Sequence, residues 1–145
     1  MVEITIASEA TPELHAAMER LVPQLSKSNP PPSMEALDAL CRSEASTMFI
    51  ATDETGILGT LTLAMFRIPT GIRAWIEDVI VDDAARGKGV GRLLNEAAIA
   101  HAFAHACPQS SSHGYTDGNT NGHAYGCSDR CSDRCAYRTD GCAHE

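Results

Sequence analysis

Basic residues are scarce in this chain. Against 19 Asp and Glu it has only 11 Lys and Arg in 145 residues, a formal net charge of −8. Such a surface lacks the clustered cations needed to read nucleic-acid phosphates or to dock on an anionic membrane. A small molecule or another protein is the expected partner. Long apolar runs are also missing: none approaches the roughly 20 residues of a membrane span. The opening Met1-Val2-Glu3-Ile4 has no basic stretch leading into an apolar run, the mark of a secretory leader. The expectation is a cytoplasmic protein with no membrane or nucleic-acid partner. The third shortage is local. From Cys107 to Glu145 there is no Ile, Leu, Val, Met, Phe or Trp, and a segment without them cannot bury enough apolar surface to offset the chain entropy of folding. Residues 1–106 are therefore expected to form one domain and residues 107–145 a low-complexity, disordered tail.

What the first 106 residues contain is periodic. Val2 to Ala7 alternates apolar and polar residues as a half-buried strand does. Thr11-Pro12-Glu13 opens a helix, with Thr11 as N-cap, Pro12 where its missing N–H is not needed, and Leu14, Met18, Leu21 and Leu25 on one face. Three consecutive prolines, Pro30 to Pro32, place a loop at 26–32. Ser33 then caps a short second helix carrying Met34, Leu37, Leu40 and Cys41 at helical spacing, which makes Cys41 a small core residue. Thr47 to Asp53 and Ile57 to Phe66 read as strands joined by a turn at Asp53-Glu54-Thr55-Gly56. In the second of them Leu61, Leu63 and Met65 share a face. Ile68-Pro69-Thr70-Gly71 is another turn. It leads to a strand over Ile72 to Val81 that ends in the apolar run Val79-Ile80-Val81, as expected where both faces are covered. Gly89 to His105 reads as the last helix. The order β, α, α, β, β, β, α describes an α/β layered domain with an antiparallel meander at its centre.

The chemistry-bearing segment is Asp82-Asp83-Ala84-Ala85-Arg86-Gly87-Lys88-Gly89-Val90-Gly91-Arg92, between the last strand and the last helix. Alternating glycines let backbone N–H groups converge on an anion without Cβ obstruction. The helix that follows aims its unpaired N–H groups and the positive end of its dipole at the same point. Arg86, Lys88 and Arg92 add a knot of positive charge to an acidic protein, which fits a phosphate-bearing cofactor. Neither familiar phosphate loop matches. A Walker A loop needs Ser or Thr after its Lys, where Gly89 stands, and the dinucleotide fingerprint G-x-G-x-x-G beginning at Gly87 needs glycine at Arg92.

Ile76-Glu77-Asp78-Val79-Ile80-Val81 followed by Arg86-x-x-Gly89-x-Gly91 at the start of a helix resembles the acetyl-CoA-binding motif of the GNAT N-acetyltransferase superfamily, Q/R-x-x-G-x-G/A, over residues 1 to about 105. The resemblance implies a mixed, largely antiparallel sheet with helices on both faces. It also implies that backbone N–H groups of Arg86, Gly87, Lys88, Gly89, Val90, Gly91 and Arg92 hold the pyrophosphate of acetyl-CoA, and that the backbone of Val79, Ile80 and Val81 pairs with its pantetheine arm. The family's strand usually carries a bulge that aims an N–H at the thioester carbonyl, where a preorganised donor stabilises the oxyanion. The amine acceptor, a small molecule or a protein amino group, must lose a proton before attack. Glu77 and Asp78 are the candidate bases, with Glu77 favoured. They point to opposite faces of a regular strand, so without a bulge only one faces the cleft. Arg67, Arg73 and Trp75 flank the acceptor side. The resemblance leaves room for a homodimer.

Beyond residue 105 the motif-level resemblance ends. No apolar strand follows, so the C-terminal strands of the fold are expected to be missing, and Tyr115, Tyr125 and Tyr137 lack the context of a catalytic acid. Cys127, Cys131 and Cys135, with His123, Cys142 and His144, are metal-ligand types. Zinc modules, however, set C-x2-4-C pairs around a small apolar core, which this imperfect repeat does not have, and no metal is expected. The preferred reading is a replaced C-terminus, through a frame change in the coding DNA or through divergence. The rival to an active acetyltransferase is then an impaired remnant with weak or no CoA binding, acting as a binding module.

Overall fold

The computed structural model describes residues 1–106. The expected tail, its cysteines and Tyr115, Tyr125 and Tyr137 lie outside them. The element order follows the periodicities: β1 (Glu3–Ile6), α1 (Pro12–Leu25), α2 (Met34–Cys41), β2 (Ser46–Asp53), β3 (Gly56–Ile68), β4 (Gly71–Val81), a single 3-10 turn (Asp83–Ala85) and α3 (Val90–Ala106). The four strands form one antiparallel sheet in the order β1-β2-β3-β4.

Both first-layer helices start where their caps require. Thr11 Oγ1 accepts from Leu14 N–H at 3.1 Å and Ser33 Oγ accepts from Ala36 N–H at 3.2 Å, satisfying donors that have no partner within the helix. Two apolar layers sandwich the sheet. On one face α1 and α2 bury Leu14, Met18, Leu21 and Leu37 against Met48, Ile57 and Ile80. On the other, α3 buries Val90, Leu94, Ala98 and Ala102 against Phe49, Leu58, Leu61, Leu63 and Ala74. Each fully buried Leu contributes about 1.5–3 kcal/mol through removal from water. Helices thus cover both faces, as expected. Leu25 does not join the core and is 46% exposed; it is the last residue of α1, one turn past the last buried residue, Val22. Cys41 is half-buried at the margin of the α1–α2 layer, and burial raises its thiol pKa above the ordinary value.

Two register shifts reset which face each strand presents. The β2–β3 ladder slips between Ala51 and Thr52, and the β3–β4 ladder slips between Thr60 and Thr62. Gly59 lies between them in close contact with β4: a Cβ there would stand 2.5 Å from Ile80 O and 3.3 Å from Val81 Cα. Only glycine lets the two strands approach so closely.

On α3, the His101 ring packs edge-on against Phe49, centroids 5.5 Å apart, and 4.1 Å from His105. Burial, and then the neighbouring His105, lower the His101 pKa. The fold therefore favours the neutral ring, and the unfolded chain binds more protons below about pH 6.5. This contribution to stability is present above that pH and is lost as pH falls through the folded value.

Two measurements check these points. Gly59→Ala should lower unfolding stability by about 1–3 kcal/mol, the range for forcing atoms into filled space, read as a lower denaturant midpoint with unchanged slope. His101→Phe keeps a ring on Phe49 without a titrating group. Its melting temperature should fall less than the wild type's on going from about pH 7.5 to 5.5.

Candidate active site

The site is built where β4 ends and α3 begins. On β4, Ala74 and Ile76 face the α3 layer, while Trp75 and Glu77 alternate to the α1 face, Glu77 standing opposite Thr62. In the next step Thr60 pairs with Ile80, so Asp78 and Val79 together oppose the single residue Leu61. This is a β-bulge, and Asp78 takes the left-handed conformation at φ 49°, one that Asp tolerates better than most residues. The alternation resumes reversed, with Val79 and Val81 toward α3 and Ile80 toward α1. A bulge in this strand is what the family resemblance implied. Asp82 N–H donates to Leu58 O at 2.8 Å. The alternation of an antiparallel ladder then turns the backbone of Val81 away from β3, toward the edge of β4 that has no neighbouring strand among the described residues.

After Val81 the chain folds into the 3-10 turn, capped by Asp82 Oδ1 accepting from Ala84 N–H at 3.0 Å. Gly87 and Gly89 follow with φ of 81° and 76°, values that would strain any residue with a Cβ. Gly91 lies inside α3, where a Cβ would make only ordinary contact with Val81 at 3.6 Å. Gly89 O accepts the first helical hydrogen bond, from Leu93 N–H at 3.1 Å, so the N–H groups of Val90, Gly91 and Arg92 precede the helical ladder. Arg86 N–H and Lys88 N–H are engaged with Asp83 O and Ala85 O, both at 3.3 Å. Of the seven N–H groups expected to serve an anion, Gly87, Gly89, Val90, Gly91 and Arg92 form the set without a backbone partner in the turn.

Each loop cation has a carboxylate beside it. Arg86 Nε lies 2.8 Å from Asp83, Lys88 Nζ 3.9 Å from Asp53 and Arg92 Nε 2.6 Å from Glu96. Hydrogen bonds from Thr55, and more weakly the charge of Lys88, hold the Asp53 carboxyl below its usual range. The cations themselves are more than half exposed, so these pairs are weak and can exchange partners with a ligand anion.

The sequence and fold have counterparts among known proteins. The family model described as Acetyltransferase (GNAT) family matches residues 14–125. The chain belongs to the GNAT acetyltransferase family. The match runs past α3 to Tyr125, further than the resemblance legible from motifs. Among solved structures, a putative acetyltransferase from Agrobacterium tumefaciens shares 27% identity over 72% of this chain and 76% of its own, with a TM-score of 0.61. A Trypanosoma brucei acetyltransferase shares 23% identity, covering 74% and 78%, with a TM-score of 0.60. An aminoglycoside acetyltransferase from an uncultured soil metagenomic sample, solved with sisomicin, shares 22% identity, covering 74% and 73%, with a TM-score of 0.64. No curated protein matches the chain.

Within this GNAT domain the expected acceptor-side residues do not all converge. Arg73 and Trp75 lie on the Glu77 face of β4, and Phe66, opposite Arg73 and 43% exposed, joins them. Arg67 pairs with Ile72 and alternates to the α3 side, because no bulge separates it from Met65. Glu77 and Asp78 are both exposed. Among the described residues no group of His, Cys, Asp or Glu is arranged to hold a metal ion, and no helix is long and apolar enough to cross a membrane. Motif reading missed Phe66, Gly59, and Arg20 and Gln24 of α1, which touch the loop. Contacts between residues so far apart in the chain leave no local signal.

The bulge makes a testable demand on one residue. Asp78→Gly should leave stability unchanged or raise it, whereas Asp78→Val should lower it by about 1–2 kcal/mol, the cost of a left-handed residue with a branched Cβ. Thermal melts of the two variants decide this, and equal melting temperatures would contradict the assigned conformation.

Proposed function

We propose that this chain transfers the acetyl group of acetyl-CoA to a primary amine of a small molecule or protein. One observation carries the reading: the bulge at Asp78–Val79 leads within one short turn to the left-handed glycines and to the unpaired N–H groups at the start of α3. The GNAT family generally uses acetyl-CoA, and two parts of that molecule, its pyrophosphate and its pantetheine arm, are assigned to residues of this chain. The N–H groups of Gly87, Gly89, Val90, Gly91 and Arg92 hold the pyrophosphate, aided by the helix dipole and by Arg86, Lys88 and Arg92. Val79, Ile80 and Val81 present the strand edge along which the pantetheine arm lies.

Glu77 is the base. On the α1 face, beside Thr62 and Trp75, it receives a proton from the ammonium of the acceptor, directly or through water. The freed amine attacks the thioester carbonyl, and an N–H of the bulge stabilises the oxyanion. The C–S bond then breaks, the attacking nitrogen gives up its second proton to leave a neutral amide, and the departing thiolate takes up one proton to leave as the thiol. Arg73, Trp75 and Phe66 border the acceptor. The sisomicin-bound neighbour supports an amine acceptor as a class without selecting one for this chain.

A second reading, an impaired remnant that binds CoA weakly, draws on the carboxylates that already face Arg86, Lys88 and Arg92. One experiment separates the two. Acetyl-CoA titration by calorimetry and thiol release with a panel of amines should show binding and turnover in the wild type. Gly89→Glu should abolish binding. Glu77→Gln should bind normally and lower kcat by about 10²–10⁴-fold, the range for loss of a general base. Binding without turnover under any amine supports the remnant.

A further inference from the structure

The anion-binding loop does not hold itself in place. Left-handed glycines at 87 and 89 supply shape but no stiffness, so the direction of the N–H groups depends on where residues 82–84 are anchored. The backbone bond from Asp82 to Leu58 O and buried Ala85 hold one side of that turn, and the side-chain anchor on the other side comes from α1. Arg20 Nη1 lies 2.9 Å from Asp82 Oδ2, whose side chain is only 13% exposed, and Arg20 Nη2 donates to Ile57 O at 2.8 Å. One guanidinium fork therefore ties the end of β4 to the start of β3. One helical turn later, Gln24 Oε1 accepts from Asp83 N–H at 3.0 Å while its Nε2 donates to Arg20 O at 3.2 Å. The remaining Asp82 oxygen caps Ala84 N–H.

We propose that Arg20 and Gln24 are positioning residues for the pyrophosphate-binding loop, clamping its first turn from α1 so that its N–H groups converge on the anion. The proposal rests on the cofactor reading above. The clamp differs from the other ion pairs of the loop in geometry: Arg86–Asp83 and Arg92–Glu96 are local and exposed on both sides, and Lys88 only approaches the sheltered Asp53 at 3.9 Å, whereas Arg20 holds the sheltered Asp82 at 2.9 Å and uses the other arm of its fork on Ile57 O. Lysine, a single point charge, cannot span both acceptors.

The test uses the full chain as Arg20→Met, Arg20→Lys and Gln24→Met. Without ligand, amide hydrogen exchange at Asp83, Ala84, Ala85, Arg86 and Lys88 should be about tenfold faster in Arg20→Met than in the wild type, with β1 and β2 amides unchanged. Equal loop exchange, or acceleration spread evenly over the sheet, overturns the proposal. Gln24→Met, which removes the outer contact to Asp83 N–H and the bond to Arg20 O while leaving the ion pair in place, gives the same comparison if Arg20→Met does not fold. In calorimetry, CoA affinity should weaken about tenfold in Arg20→Met and stay weakened in Arg20→Lys, and full affinity in Arg20→Met would also overturn it. A wild type that binds no CoA would overturn the cofactor reading, while the exchange comparison still decides the clamp.

Discussion

Everything at the proposed site depends on the close approach of β3 to β4 around Gly59 and the bulge opposite Leu61. A regular ladder would put Ile76, Asp78 and Ile80 on one face and Glu77, Val79 and Val81 on the other. The extra residue reverses that alternation midway along the strand. Glu77 therefore shares a face with Trp75 and Ile80, while Val79 and Val81 follow Ile76 into the α3 layer. A carboxylate on the α1 side and an apolar strand end seated on α3 can coexist in one strand only through this shift.

The shift also aims the loop. Val81 and Val90 both pack into the α3 layer, and Ala85, 1% exposed, plugs the same layer from within the turn. The turn is thereby fixed at an apolar point on one side and through Asp82 and Asp83 on the other. The residues between, Arg86 to Gly89, are exposed and built for conformational freedom. A rigid frame around a permissive backbone segment suits a site that must present several N–H groups to one ligand without closing on it beforehand.

Local features were legible in the sequence because their causes are local. Thr11-Pro12 and Ser33 cap helices by bonding three residues ahead, alternating Leu61, Leu63 and Met65 mark a covered face, and Gly87 and Gly89 mark a turn that other residues resist. The bulge was not legible from Glu77-Asp78-Val79 alone, since those residues fit either phase; only the family resemblance implied it. Arg67 and Arg73 flank one turn in the sequence, yet strand alternation puts them on opposite faces. The need for glycine at position 59 comes from Ile80, a strand away, and the partner of Arg20 lies at the end of β4. Both are products of tertiary packing, which no spacing pattern records.

The central claim is that the turn from β4 into α3 receives the phosphates and pantetheine of CoA. The most direct measurement is residue-resolved amide chemical shifts of the full chain on titration with CoA. The account predicts the largest changes at Gly87, Gly89, Val90 and Gly91, with a second set at Val79 and Val81. Changes centred elsewhere, or none at millimolar CoA, would contradict it.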